Sequence, residues 1–431
     1  MKDIYESALT SRYATKEMLE LFSPDTRYIL WRKLWLSLAK HEKELGLNIT
    51  DIEIKEMEEH LTDIDYEVVK EREEIVGHDV MAHLYAYGLK APHAKGIMHL
   101  GATSSYVTDN SDLIIYKKGL LYIKEQLLKI IKILRDFAYK YKDLPTLSYT
   151  HYQVAQFTTV GKRATLWLYN FVSDLENINN VINSLKFLGC RGTTGTEASF
   201  LDLFNGNEEK IDKLNENIAK DFDFDSIYDV VGQTYPRKVD SIILNALSNI
   251  AESAYKMASD IRLLEHDKEI EEPFTKTQVG SSAMAYKRNP VNSEKVCSLS
   301  RYLITDAINA KLTASNQWFE RTLDDSANRR LSMPEGFLTA SSILKTLEYI
   351  TSGLVVNTSV IDSRVKKELP YIATENILME AVKRGGDRQK LHEIIREISM
   401  DVTKKINNGG NNNLIERLST TQEFSFIKEN S

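Results

Sequence analysis

Apolar residues recur along the middle of the chain in alternating steps of three and four. Leu113, Tyr116, Leu120, Ile123, Leu127, Ile130, Leu134, Phe137 and Tyr141 form one such series, and Ala164, Leu168, Phe171, Leu175, Ile178, Ile182 and Leu185 a second. Ile243, Leu247, Ile250, Ala254, Met257, Ile261 and Leu264 form a third. A period near 3.5 gathers such side chains on one stripe of a helix. Segments near 294–318 and 335–356 continue the pattern, so five long helices are predicted. At a rise of 1.5 Å per residue each runs roughly 35–45 Å. Pro145, Pro236, Pro273, Pro290 and Pro334 read as punctuation between the periodic segments, where a missing N–H removes no helical bond. Ile114, Leu121 and Leu128 add an apolar stripe beside the first seam. Covering it takes more helices than one chain supplies, so an oligomer is expected.

The first hundred residues read as shorter helical pieces, among them one from Asp25 through Trp31, Leu34, Trp35 and Leu38. Beyond Val356 the segments shorten and become more polar, and Asn407–Asn413 reads as a loop. The pattern therefore predicts an all-α chain in three parts, 1–103, 104–356 and 357–431, with no internal repeat.

Composition narrows the classes. Of 431 residues 42% are hydrophobic and 27% charged, and no apolar run of about 20 residues is present, so no membrane span is expected. Met1–Ser7 lacks the apolar core of a secretory signal, and Cys190 and Cys297 form no Cys-x-x-Cys pair, so a reduced cytoplasmic setting without structural zinc is expected. His78 and His83 stand five residues apart, a spacing that does not stack them on one helix face as a zinc site requires. The net charge of −7 argues against a broad nucleic-acid footprint, so an anionic ligand needs locally gathered cations.

Those cations, with small residues and hydroxyls, cluster in polar segments between the helices. Gln278–Val291 reads Gln-Val-Gly-Ser-Ser-Ala-Met-Ala-Tyr-Lys-Arg-Asn-Pro-Val. The backbone amides around Gly280, Ser281, Ser282 and Ala283 can approach an anion closely, while Lys287, Arg288 and Asn289 add two cations and an amide. Thr103, Ser104 and Ser105 follow the turn residue Gly101 and offer hydroxyls to a carboxylate. His151 and Gln153 follow Pro145, and a histidine there can exchange a proton near neutral pH. Arg321-Thr-Leu-Asp-Asp-Ser-Ala-Asn-Arg-Arg330 carries guanidinium forks suited to phosphate.

Gly280-Ser-Ser-Ala-Met-Ala-Tyr-Lys-Arg-Asn-Pro290 resembles the signature loop of the fumarase/aspartase superfamily, and its Tyr-Lys-Arg-Asn-Pro ending resembles the adenylosuccinate lyase branch. Ala285 stands where those proteins usually carry proline. Ser11-Arg-Tyr13, His78-Asp79, Gly101-Ala-Thr-Ser104, Thr150-His-Tyr-Gln-Val-Ala-Gln156, Gly232-Gln233, Arg321–Arg330 and Gly385–Glu393 are similar to further segments of that branch in the same order, covering about residues 10–400. The resemblance implies a three-domain fold whose central bundle joins three other copies in a twenty-helix tetramer core. It also implies cofactor-free elimination of fumarate from adenylosuccinate, giving AMP, and from the related succinyl-carboxamide ribotide of purine synthesis. Carried over residue by residue, it makes Ser281 the base and His151 the acid, assisted by His78 and Lys287. Arg12, Tyr13, Arg321, Ser326 and Arg330 then hold the phosphate and neighbouring groups. Asp79, Thr103, Ser104, Gln233, Ser282, Met284 and Asn289 contact the rest of the substrate. Lys295 stands where some relatives place an arginine on phosphate. Two other readings compete, argininosuccinate lyase or fumarase within the superfamily, and a helical scaffold without catalysis. The Tyr-Lys-Arg-Asn-Pro ending argues against the first, and retention of Ser281, Lys287 and His151 against the second.

Overall fold

The computed structural model describes residues 3–429. In the N-terminal part lie α1 (Lys16–Leu21), α2 (Pro24–Glu44), α3 (Asp51–Glu59), α4 (Tyr66–Val76) and α5 (Asp79–Lys90). They are followed by α6 (Ser105–Lys140), β1 (Pro145–Thr150), β2 (Gln153–Thr159), α7 (Val160–Ser184), α8 (Ala198–Leu203), α9 (Glu208–Asp221) and α10 (Lys238–His266). Next come β3 (Ile270–Glu271), α11 (Val291–Ser315), α12 (Asp325–Ser352) and β4 (Val355–Val356). The chain ends in α13 (Thr358–Lys383), α14 (Arg388–Asn407) and α15 (Leu414–Ser419). Among the described residues no helix is long and apolar enough to cross a membrane.

Local chemistry explains the helix starts. Ser23 accepts the Thr26 N–H ahead of Pro24 at the first turn of α2, Thr50 and Glu53 close a capping box on α3, and Asp65 caps α4. Gly77 ends α4 in the left-handed region at φ 65°, which reverses the chain so that His78 can cap α5.

The chain divides into two compact units. The first comprises the chain through Ile131 with Asn170–Ser259 and Val291–Thr351. Its buried core takes the expected stripe positions Leu113, Leu120, Ile123 and Leu127 of α6 and Ile243, Leu247 and Ile250 of α10, together with Val296 and Leu303 of α11. Phe337, Leu344 and Leu347 of α12 join them. Gly119 allows α6 and α12 to approach closely, because a Cβ there would lie 2.8 Å from the Phe337 ring.

The second unit holds Lys132–Tyr169, Asp260–Pro290 and the chain from Ser352. Here β1 and β2 pair antiparallel, from Pro145 against Thr159 to Thr150 against Gln153, with an irregularity between Leu147 and Tyr149. The carboxyl-terminal helices enclose their own core of Leu378, Leu391, Ile395, Val402, Leu414, Leu418 and Phe424.

All five expected long helices are present, but three local expectations are corrected. The segment 145–159, read as a polar loop before a helix, is a hairpin. The helix expected from 335 begins at Asp325, so Pro334 lies inside it instead of between elements. Its early residues Asp325 and Arg329 are buried in ion pairs, which apolar periodicity does not register. After Val356 the segments do not all shorten, since α13 runs 26 residues through Pro370. A proline inside a helix forfeits one hydrogen bond, a loss that packing of the flanking turns can offset.

Candidate active site

A cavity of about 460 Å³ opens in the first unit. Its walls come from the α4–α5 corner, the start of α6, the segment before α10 and the start of α12. Each wall has a local cause. His78 accepts the Met81 N–H at Nδ1, 3.4 Å away, so its neutral form carries the proton on Nε2, which lies 3.4 Å from Ser104 Oγ. Gly101, at φ 65°, would place a Cβ 2.9 Å from Phe200, and this turn delivers Thr103 and Ser104 to the amino end of α6. Gln233 donates from Nε2 to Thr103 Oγ1 at 3.2 Å, and its N–H donates to Glu320 O at 2.9 Å. Gly232 makes that last approach possible, because any Cβ would collide with Glu320 O.

Arg321, Ser326 and Arg330 complete the wall. Arg321 Nη1 donates to both carboxylate oxygens of Asp325 at 2.8 and 3.0 Å, and Arg330 Nη2 donates to Asp79 Oδ2 at 2.7 Å. Of the residues expected from sequence, the cavity gathers His78, Asp79, Thr103, Ser104, Gln233, Arg321, Ser326 and Arg330. Arg12 and Tyr13 belong to the same unit, on a short helical turn at Leu9–Tyr13, and are not among the lining residues. His83 is a buried core residue stacked on Tyr28 at 3.8 Å, with burial the main cause of a pKa pushed down to about 4.

The lining also includes a buried ion network that the sequence reading missed. Arg237 donates to Asp109 at 3.0 Å and also to Asp325, while Arg329 donates to Asp240, to Asp112 at 3.1 Å and to the hydroxyl of Tyr235. Burial alone disfavours the Arg329 charge, yet Asp240, Tyr235 and their neighbours outweigh it and raise its pKa well above the ordinary arginine value. Burial likewise opposes the charge of Asp325, but Arg237 and Arg321 hold it below the usual carboxylate range. The available signal was the presence of Asp109 and Asp112 at the head of α6, just ahead of its apolar stripe. A spacing of three on one helix does not name partners more than a hundred residues away.

The remaining expected residues belong to the second unit. His151 and Tyr152 form the hairpin turn, both with positive φ (53° and 57°), which matches the twist of a tight two-residue connection. The hairpin is anchored at Glu269, which is almost fully buried. Arg364 Nε lies 2.7 Å from Glu269 Oε1, and Arg364 Nη2 donates to Tyr149 OH at 3.0 Å. In the 278–289 loop, Ser281 Oγ accepts the N–H groups of Met284 and Ala283 at 3.1 and 3.3 Å. Asn289 Nδ2 closes the loop on Gly280 O at 2.8 Å, and Gly280 leaves no room for a Cβ beside Lys287 O. Ser282, Met284 and Lys287 are exposed on it. Two amides aimed at one serine oxygen stabilise negative charge there. Among the described residues no cluster of side chains suited to a metal ion is found.

The architecture is that of solved lyases and cycloisomerases. A fumarate lyase from Mesorhizobium sp. BNC1 superposes with a TM-score of 0.82 at 22% identity, covering 98% of this chain and 92% of that one. A 3-carboxy-cis,cis-muconate lactonizing enzyme from Pseudomonas putida gives 0.85 at 20% identity over the same shares. In sequence, a family profile described as "Lyase" matches residues 33–305, and one described as "Adenylosuccinate lyase C-terminus" matches residues 370–430. Adenylosuccinate lyase of Saccharomyces cerevisiae is 52% identical over 99% of this chain and 89% of its own length. That of Schizosaccharomyces pombe is 49% identical over 98% and 89%. The chain belongs to the lyase family and, within it, to the adenylosuccinate lyases.

Proposed function

We propose that this chain eliminates fumarate from adenylosuccinate to release AMP, and likewise from succinylaminoimidazole carboxamide ribotide, in purine biosynthesis. The observation that carries this reading is the cavity itself, which gathers the guanidinium groups of Arg321 and Arg330 with the hydroxyls of Thr103, Ser104 and Ser326 and the amide of Gln233. Such a set suits a ligand bearing both a phosphate and carboxylates.

The reaction removes a weakly acidic proton from the carbon beside a carboxylate, so negative charge develops on that carboxylate. Preorganised donors then contribute several kcal/mol to the transition state. In this reading Ser281 takes the proton. A serine hydroxyl is far too basic to ionise unaided near neutral pH, and the Ala283 and Met284 amides that meet its oxygen favour the alkoxide. Lys287, Asn289, Thr103 and Ser104 hold the carboxylate. His151 protonates the departing nitrogen, and His78, with Nε2–H directed at Ser104, orients that hydroxyl. Arg12, Tyr13, Arg321, Ser326 and Arg330 take the phosphate end, with Asp79, Gln233, Ser282 and Met284 around the remainder. No cofactor enters this scheme.

A homotetramer with sites shared between subunits, a cytoplasmic setting and the division at 103/104 and 356/357 belong to the same proposal. Exposed Leu121, Leu128, Ile242, Ile308, Leu312 and Leu331 on the long helices support the oligomer, since single apolar side chains are ordinary on a surface but rows along helices call for a cover. Purified protein given adenylosuccinate, with AMP and fumarate followed directly, tests the activity. Turnover of argininosuccinate or malate with adenylosuccinate untouched would overturn it.

A further inference from the structure

One of the buried carboxylates in the cavity lining, Asp325, is bound to a side chain that the proposed function assigns to the substrate. Asp325 is the first residue of α12 and is fully buried. Its oxygens accept two bonds from Arg321 Nη1 and one from Arg237 Nε. Arg237, 2% exposed at its side chain, is fastened in turn by Nη1 and Nη2 to Asp109 at 3.0 and 3.3 Å. Asp109 Oδ2 also accepts the Tyr235 N–H at 3.1 Å. A continuous chain of charge-assisted bonds thus runs from Arg321 through Asp325 and Arg237 into α6.

Arg321 depends on this chain. It precedes α12, in the irregular segment that follows α11, where its own N–H bonds Trp318 O at 3.1 Å. Both of its side-chain bonds use Nη1, and its Nε and Nη2 donors make none with the described residues. Asp325 therefore grips one corner of the guanidinium and leaves the other donors for an anion.

We propose that Asp325 is a positioning residue for the anionic end of the substrate, acting through Arg321 by fixing its guanidinium before the ligand arrives. The inference rests on the reading of Arg321 as a phosphate contact. Without Asp325 the rotamers of the arginine are free, and the ligand has to order them. Ordering one rotamer-rich side chain on binding corresponds to about two- to tenfold in affinity. Asp325 is fully buried and its oxygens accept from two arginines, so its influence on the substrate is exerted through Arg321.

The test compares kcat/KM for adenylosuccinate with that for the same compound lacking its 5′-phosphate, in parent, Arg321→Ala, Asp325→Asn, Asp325→Glu and Arg321→Ala/Asp325→Asn proteins. The nucleotide-to-nucleoside ratio isolates the phosphate contribution. Asp325→Asn is expected to lower that ratio about two- to tenfold, mainly through the KM of the nucleotide, and to lower it no further in the Arg321→Ala background. Asp325→Glu retains the charge but displaces the carboxylate by a methylene, so it should lower the ratio as well, and it serves as the test should Asp325→Asn fold poorly. If Arg321→Ala leaves the ratio unchanged, the phosphate reading of Arg321 fails. If Arg321→Ala lowers the ratio and the Asp325 variants do not, or if they depress both substrates equally, the positioning role is overturned.

Discussion

Replacing Glu42 with glutamine should make the protein more stable at pH 8 than at pH 5 relative to its parent. Glu42 lies in α2 with no exposed surface, and among the described residues neither carboxylate oxygen has a hydrogen-bond partner. Burial pushes its pKa up from 4.5 to about 9. A carboxyl whose folded pKa is raised binds a proton in the folded state that the unfolded chain has released, so its effect is unfavourable between those two values and grows as pH rises through the window. The loss is about 1.4 kcal/mol per pH unit, which makes about 4 kcal/mol by pH 7.5, three units above 4.5. Glutamine has the same shape and cannot ionise. Its unpaired amide costs about 1–3 kcal/mol at every pH, much as the unpaired carboxyl of the parent does, so the difference between the two proteins isolates the titration. Urea midpoints measured at pH 5, 6, 7 and 8, at one protein concentration because assembly contributes to apparent stability, should show the variant gaining on the parent by about 1.4 kcal/mol per unit. A difference that stays flat from pH 5 to pH 8 would refute the reasoning, because Glu42 would then titrate alike in both states.

Gly161→Ala should destabilise the second unit by at least about 1–3 kcal/mol, read as a lowered denaturation midpoint, because the added Cβ would overlap Ala138 O and lie 2.7 Å from Lys142 Cα. Glu269→Ala removes the buried partner of Arg364, which is 34% exposed and keeps Asp267 at 3.1 Å, so stability should fall by about 1–3 kcal/mol; kinetics on the folded fraction should show kcat falling more than KM rises, since the hairpin that carries His151 loses its anchor. Arg330→Ala should raise KM for adenylosuccinate more than it lowers kcat, and an unchanged KM would remove Arg330 from the phosphate end. Inactive His151→Ala and Lys287→Ala proteins, mixed after mild dissociation and reassociation, should recover part of the activity if each site draws on several chains; mass spectrometry showing mixed tetramers without recovery would refute shared sites.

The long helices were legible because their information is local. A stripe such as Leu113, Leu120, Ile123 and Leu127 repeats within a few turns, and burial of that stripe is what stabilises the helix. Motif order was equally legible, since Gly280–Pro290 and Arg321–Arg330 are contiguous and carry their residue types at fixed spacing. The chain by itself therefore determined the helical class, the family and the set of residues to watch. Tertiary structure decided the rest. The hairpin at 145–159 depends on pairing and on left-handed backbone at His151 and Tyr152, residues whose identities do not advertise a turn as glycine or asparagine would. The start of α12 at Asp325 and the fate of Arg321 depend on ion pairs to Arg237 and Asp109, residues tens to hundreds of positions distant. Periodicity reads neighbours along a helix. The charges that shape this cavity are matched through space, by burial that makes an unpaired ion costly, and only the folded chain brings the partners within reach of one another.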